Sequence, residues 1–137
     1  MVYAVIDTNV LVSALLSERD DTATVQVVKR MVEGDIVPLY SSEIIKEYIE
    51  VLHREKFGFS SGTVFSMLEI ITVSGIQVEP ESTNVELPDI FDLPFYEVVM
   101  EKRDENAYLV TGNIKHFPKE PFIVTARQML DILNEST

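Results

Sequence analysis

The chain has 137 residues, 46% of them hydrophobic, so we expect one folded domain over residues 1–137 rather than a disordered segment. It has no cysteine, no apolar run long enough to span a membrane and no secretory signal; this excludes disulfides and thiolate metal sites and fits a cytoplasmic protein. The net charge of −12 disfavours a basic nucleic-acid cradle, although acidic residues can gather around a divalent cation.

Apolar runs alternate with helical patterns along the chain. The runs predicted as buried parallel strands are residues 3–6, 36–40, 107–111 and 122–125, with residues 76–78 as a candidate for a fifth. Residues 79–92, rich in acids and prolines, form the only long irregular connection. This alternation predicts an α/β fold with a central parallel sheet. The predicted helices are residues 9–16, 22–33, 42–54, 64–73, 95–103 and 126–133.

Polar side chains converge on the carboxyl edge of the predicted sheet. Asp7 directly follows the first strand, while Thr111 and Asn113 lie at the end of the strand that begins at residue 107. The helix that opens near Asp92 runs antiparallel to the strands, so its first turn also lies at this edge. Ligands of open parallel sheets bind beyond the carboxyl ends of the strands. We therefore expect a site there.

Glu47 is the acidic residue of the third predicted helix that can face this site. At ~100° per residue, Ile44, Tyr48 and Val51 belong to one apolar stripe. Glu47 lies about 40° from Val51, whereas Glu43 and Glu50 lie further toward solvent. Glu47 is thus predicted to reach inward.

Each of these acids also has a purely structural explanation. Asp7, with Thr8 and Asn9, could cap a helix. Asp92 could simply start a helix whose first turn contains a proline, and Glu47 could be a solvated helix residue. Carboxylates that meet at one edge repel one another and raise one another's pKa unless a cation lies between them. Their oxygen ligands suit Mg²⁺ or Mn²⁺, so convergence favours a metal site.

Four segments that contain these residues resemble the PIN-domain family, in particular its toxin branch related to VapC-type toxins. They fall in family order, span nearly the whole chain and read VIDTNVLVSALL, SSEIIKEYIEVL, DLPFYEVV and AYLVTGNIKHFP. The resemblance implies a PIN-like, Rossmann-like three-layer α/β/α sandwich. It also implies a ribonuclease that uses divalent metal to cleave single-stranded RNA, pairs with a cognate antitoxin and forms a homodimer.

Carried over by position, the resemblance implies which residues form the site. The catalytic and metal-binding carboxylates would be Asp7, Glu47 and Asp92. The supporting side chains would be Thr8, Asn9, Thr111 and Asn113.

The chain departs from the family pattern at two positions. Many relatives have an aspartate where this chain has Asn113, and others have an acid where it has His116. The usual fourth carboxylate is thus absent at both places. Asn113 can offer a carbonyl oxygen or hold a water but brings no charge, so a second metal would bind more weakly. One-metal and two-metal sites both stay open.

Other functional classes fit less well. A phosphatase of the haloacid dehalogenase type needs a general acid where this chain has Asn9, and a receiver-like phosphoswitch needs an acid pair at the first strand. His53 is interpreted as a helix-surface residue, and His116, near the Asn113 loop, as a minor member of the site. The alternative that stays open is a catalytically weak or inactive PIN-like module that binds RNA or protein.

Overall fold

The computed structural model describes residues 1–135, which contain five strands and six α-helices in alternation. The predicted domain of residues 1–137 extends two residues beyond this part, so its end lies outside the described residues. The elements are β1 (Val2–Ile6), α1 (Thr8–Leu16), α2 (Ala23–Val32), β2 (Ile36–Tyr40), α3 (Ser42–Leu52), α4 (Ser61–Ser74), β3 (Ile76–Gln77), α5 (Leu93–Lys102), β4 (Ala107–Val110), β5 (Ile123–Val124) and α6 (Ala126–Glu135).

The strands form one parallel sheet in the order β3-β2-β1-β4-β5. β1 lies at its centre, where Tyr3 is in register with Val37 of β2 and with Ala107 of β4. Ala4 and Val5 are completely buried, as expected of a strand covered on both faces. The predicted central parallel sheet is confirmed, including its fifth strand at residues 76–77.

Two groups of helices enclose the sheet. α2 contacts both α1 and α6, whereas α3 contacts both α4 and α5. Tyr48 of α3 and Phe95 of α5, both buried, bring their ring centroids within 6.0 Å of each other. The predicted α/β/α sandwich is confirmed. No helix of residues 1–135 is long and apolar enough to cross a membrane.

The long irregular connection between β3 and α5 is tied to the helices by two acids. Glu79 accepts hydrogen bonds from the backbone amide and the hydroxyl of Ser42, both at 2.8 Å. Glu97 of α5 accepts from the backbone amide of Thr83 at 2.8 Å. The connection ends in a 3-10 turn, Ile90–Asp92, which leads directly into α5 at the carboxyl edge of the sheet.

Candidate active site

Asp7 stands at the junction between the sheet and the first helix. Its backbone amide donates to the Val110 carbonyl at 2.9 Å, and its own carbonyl accepts from the Val10 amide at 3.0 Å. The first bond extends the β1–β4 ladder and the second begins α1. Asp7 therefore occupies the N-cap position of α1, but its side chain makes no capping hydrogen bond. The capping explanation of its carboxylate is wrong.

The Asp7 carboxylate is instead held by one side chain that follows β4 and one in the first turn of α1. The Thr111 hydroxyl donates to Asp7 Oδ2 at 2.7 Å, and Asn9 Nδ2 donates to the same oxygen at 3.3 Å. Asn9 Oδ1 accepts from the Gly112 amide at 3.1 Å, and the Asn113 amide donates to the Thr111 hydroxyl at 3.0 Å. No side chain of residues 1–135 donates to Asp7 Oδ1, so that oxygen has no side-chain partner.

Thr8 supplies a second polar atom near the site, a hydroxyl oxygen without a hydrogen-bond partner in residues 1–135. Its side chain is buried, and among the described residues no group forms a hydrogen bond with its Oγ1. A buried hydroxyl without a partner costs roughly 1–3 kcal/mol. A polar atom of this kind beside a carboxylate is suited to a ligand or an ordered water.

Glu47 reaches the same site from α3. It is half-buried and lines the groove above Asp7, whereas Glu43 and Glu50 are exposed, which agrees with the predicted helix face. Its neighbour Tyr48 is buried and donates its hydroxyl to the Ile6 carbonyl at the end of β1. This bond fixes α3 against the strand that carries Asp7.

Asp92 reaches the site from the start of α5. It lies at the N-cap position with a proline in the first turn, so the structural explanation holds for its position, although its side chain makes no capping hydrogen bond. Its Oδ2 lies 3.2 Å from His116 Nδ1, which brings the loop after β4 to the third carboxylate. Asp89 fixes the preceding turn, because its Oδ1 accepts from the Phe91 amide at 2.9 Å.

Burial and mutual repulsion raise the pKa of all three carboxylates. Burial raises the pKa of Asp7 from 3.8 to about 6, opposed by the hydrogen bond from Thr111 and reinforced by the charge of Asp92. For Glu47, burial raises the pKa first and the charges of Glu50 and Asp7 add to it. For Asp92, burial and then the charge of Asp89 raise the pKa, while His116 lowers it. A nearby cation would offset the repulsion between these carboxylates and lower their pKa values.

The three carboxylates line one groove of about 770 Å³, together with Thr8 and Asn9. Within residues 1–135, no three His, Asp or Glu side chains are grouped tightly enough to hold a metal ion by themselves. Mg²⁺, however, commonly binds through one or two carboxylates and keeps several waters. Asp7, with one oxygen that has no side-chain donor among the described residues and the unpartnered Thr8 hydroxyl next to it in the chain, fits a hard divalent cation of this kind.

The remaining sequence-predicted residues divide into two groups. Thr111 is completely buried and supports Asp7, whereas the Asn113 side chain is exposed and does not line the groove. His53 lies on the helix surface as predicted, with its Nδ1 2.7 Å from the Ile49 carbonyl.

Two residues contribute more to the site than the sequence indicated. Tyr48 belongs to the apolar stripe, which gave no sign of its hydrogen bond to the end of β1, and His116 was expected to have only a minor role. No local pattern shows that His116 contacts Asp92, because the two are 24 residues apart.

Comparison with known proteins agrees with this architecture. A family model described as PIN domain matches residues 3–115. No curated protein and no solved structure matches the chain. PIN domains are generally nucleases and typically use divalent metals, so the fold is of a nuclease type with a nucleic-acid substrate. Because the match covers most of the sequence and includes all three carboxylates, the chain belongs to the PIN-domain family.

Proposed function

We propose that this protein is a metal-dependent endoribonuclease that cleaves single-stranded RNA, with Asp7, Glu47 and Asp92 as its catalytic and metal-binding residues. The observation that supports this most is the Asp7 carboxylate. It is buried, only 4% exposed, lies at the start of a helix without capping it, and keeps one oxygen free of side-chain donors. A carboxylate with a raised pKa in a groove lined by two further acids fits a cation site.

The chain's own residues would hold this site in place for the reaction. Thr111 and Asn9 orient the Asp7 carboxylate, and Tyr48 fixes the strand end beside it. Asp92 would share the cation, and His116 would hold a proton at Nδ1 against the Asp92 carboxylate. A bound Mg²⁺ or Mn²⁺ would supply a more acidic water and neutralise charge on the phosphate.

Binding of the cation and binding of RNA would depend on each other. The groove is lined by Asp7, Glu47, Glu50, Asp89 and Asp92, which repel a phosphodiester when no cation is present. With a cation between the carboxylates, the local field reverses and the phosphate is attracted. We therefore propose that the metal is needed for productive substrate binding as well as for hydrolysis.

The cellular assignment extends the family resemblance. We propose that the protein is a cytoplasmic toxin, forms a homodimer and pairs with a cognate antitoxin. The net charge of −12 favours an antitoxin segment that is basic where it covers the groove. Co-purification with the product of an adjacent small reading frame would test this pairing, and an antitoxin that leaves cleavage unaffected would contradict it.

The direct test is cleavage of a labelled single-stranded RNA with Mn²⁺, with Mg²⁺ and with EDTA. We expect cleavage only with a divalent cation and none by the Asp7→Asn variant, while a duplex of the same sequence should resist. The rival assignment is an inactive binding module, favoured by Asn113 in place of a fourth acid. RNA binding without cleavage under every metal condition would establish the rival.

A further inference from the structure

Phe91 is a large apolar side chain that the fold leaves open beside the candidate active site. It is 66% exposed, directly precedes Asp92, and lines the groove that contains Asp7 and Glu47. Exposed apolar residues are common singly and need no explanation by themselves. What distinguishes Phe91 is that its ring is exposed at the mouth of a groove proposed to bind nucleic acid.

The backbone that carries Phe91 is fixed. The Phe91 amide donates to Asp89 Oδ1 at 2.9 Å, and the Asp92 amide donates to the Asp89 carbonyl at 3.1 Å. The resulting 3-10 turn runs directly into α5, whose Phe95 is buried in the core. A ring held on a fixed backbone loses little conformational freedom when it binds a ligand, which favours binding.

The groove has few basic side chains, so binding of RNA there needs a contribution other than charge attraction. Arg54 is the one basic residue that lines the groove within residues 1–135, and its guanidinium is 3.1 Å from Glu50 Oε1. Attraction of phosphates by basic side chains is therefore weak at this groove. Aromatic stacking is the other general means of binding an unpaired strand, and it accepts any base.

Phe57 lines the same groove but has less ring surface to offer. Its ring stacks on Phe59 with centroids 5.6 Å apart, and Lys56 Nζ lies 5.1 Å from its centroid. Within residues 1–135 no aromatic ring or cation stacks on Phe91. Of the two groove phenylalanines, Phe91 is thus the one with a free face.

We propose that Phe91 is a base-stacking residue, which binds the face of an unpaired nucleobase beside the phosphodiester that the three carboxylates act on. This inference rests on the proposed function and explains its substrate class. The bases of a single strand can be splayed out onto an aromatic ring, whereas those of a duplex are stacked on their neighbours. Phe91 would therefore select for single-stranded RNA.

The test is the affinity for a labelled, cleavage-resistant analogue of a single-stranded RNA, measured by fluorescence anisotropy at low salt with saturating Mn²⁺, so that binding is separated from cleavage while the cation is present. We expect Phe91→Ala to weaken binding about tenfold, as for the loss of one stacked base, and Phe91→Trp to retain it. Phe65→Ala is the matched control, because Phe65 of α4 is 65% exposed but lies away from the groove. It should change the affinity by less than about twofold.

Two further measurements identify the nature of the contact. An RNA of the same length with abasic residues should bind wild type and Phe91→Ala equally. Phe91→Leu should bind as weakly as Phe91→Ala, because leucine has no ring on which a base can stack. Leucine keeps an apolar surface, so this variant separates stacking from a general apolar contact. Wild-type affinity in Phe91→Leu, equal losses in Phe91→Ala and Phe65→Ala, or no RNA binding by wild type would each overturn the inference.

Cleavage of the unmodified RNA of the same sequence with Mn²⁺ separates this inference from the proposed function. Cleavage together with unchanged binding by Phe91→Ala would refute the stacking and leave the nuclease assignment intact. Weaker binding by Phe91→Ala without cleavage by wild type would support the stacking and refute the nuclease assignment.

Discussion

Two helices begin at the same edge of the sheet and use their N-cap residues in opposite ways. Ser41, before α3, is buried and its hydroxyl accepts a hydrogen bond from the Ile44 amide at 3.2 Å. Asp7, before α1, is similarly buried, but its carboxylate makes no capping hydrogen bond and accepts from the Thr111 hydroxyl instead. The Ser41 side chain stabilises its helix, whereas the Asp7 side chain does not. We propose that the position whose side chain does not cap is the one that serves a ligand.

Asp92 repeats the pattern of Asp7 at α5. It too occupies an N-cap position without a capping bond, while Asp89, three residues earlier, caps the short turn before it. Asp89 also lines the groove, so lining the groove does not by itself prevent an aspartate of this segment from capping. What Asp7 and Asp92 share is a helix N-cap position whose side chain contacts a residue that follows β4, Thr111 for Asp7 and His116 for Asp92.

The largest effect should come from the replacement of Asp7, with the replacement of Ser41 as its control. Asp7→Asn should reduce Mn²⁺-dependent RNA cleavage by more than ~100-fold, since even indirect metal partners typically contribute ~10–100-fold. Ser41→Ala removes a helix cap and should leave the activity per folded molecule unchanged. Both variants can be assayed on the same labelled RNA. Comparable losses in the two would show that Asp7 has no special role.

The two residues should also differ in their effect on stability without metal. The folded-state pKa of Asp7, about 6, exceeds its ordinary 3.8, so the native state binds more protons than the unfolded state between these values. Stability should fall as the pH rises through this window, by roughly 3 kcal/mol at ~1.4 kcal/mol per pH unit. Asp7→Asn should remove this loss and be more stable than wild type at pH 7.

Urea unfolding at several pH values measures this difference directly. Ser41→Ala should instead lose about 1 kcal/mol at every pH, as expected for a lost cap. A smaller slope will persist in Asp7→Asn, because burial also raises the pKa of Glu47 and of Asp92. The account fails if Asp7→Asn keeps the whole slope of the wild type.

A smaller contrast is expected within α3. Glu47→Gln should lower cleavage about 10- to 100-fold, the range for groups that act on a metal directly or through water. Glu50→Gln should change cleavage little, although Glu50 lines the groove, because it is exposed and paired with Arg54. Glu43→Gln, exposed and one turn earlier, is a second control. Equal activity of the Glu47 and Glu50 variants would mean that another face of α3 serves the site.

The smallest effect should be that of Asn113→Asp. The new carboxylate should tighten divalent binding and, without metal, destabilise the protein through repulsion of the other three acids. Because the Asn113 side chain is exposed, we expect this destabilisation to be below about 1 kcal/mol and to shrink with saturating Mn²⁺. Melting of both proteins with and without Mn²⁺ measures it. Equal destabilisation under both conditions would place Asn113 outside the metal shell.

Much of this arrangement follows from the sequence, because the apolar runs of strands and the periodicity of helices are local patterns. The carboxyl edge of a parallel sheet brings Asp7 and Thr111 together, and the apolar stripe of α3 turns Glu47 inward. The hydrogen-bond partner of the Asp7 carboxylate could not be predicted from such patterns. An aspartate at the start of a helix can cap it or bind a distant hydroxyl, and the choice depends on where the loop after β4 folds. The His116–Asp92 contact depends on that loop too.

Thermal melting with Mn²⁺ tests most directly whether the Asp7 carboxylate, which does not cap α1, binds a divalent cation. A ligand that binds only the native state stabilises it, by about 2.7 kcal/mol at a concentration of ~100 Kd. We expect Mn²⁺ to raise the Tm of the wild type and of Ser41→Ala alike, and to leave the Tm of Asp7→Asn unchanged. Equal Tm shifts in the wild type and Asp7→Asn would contradict the account.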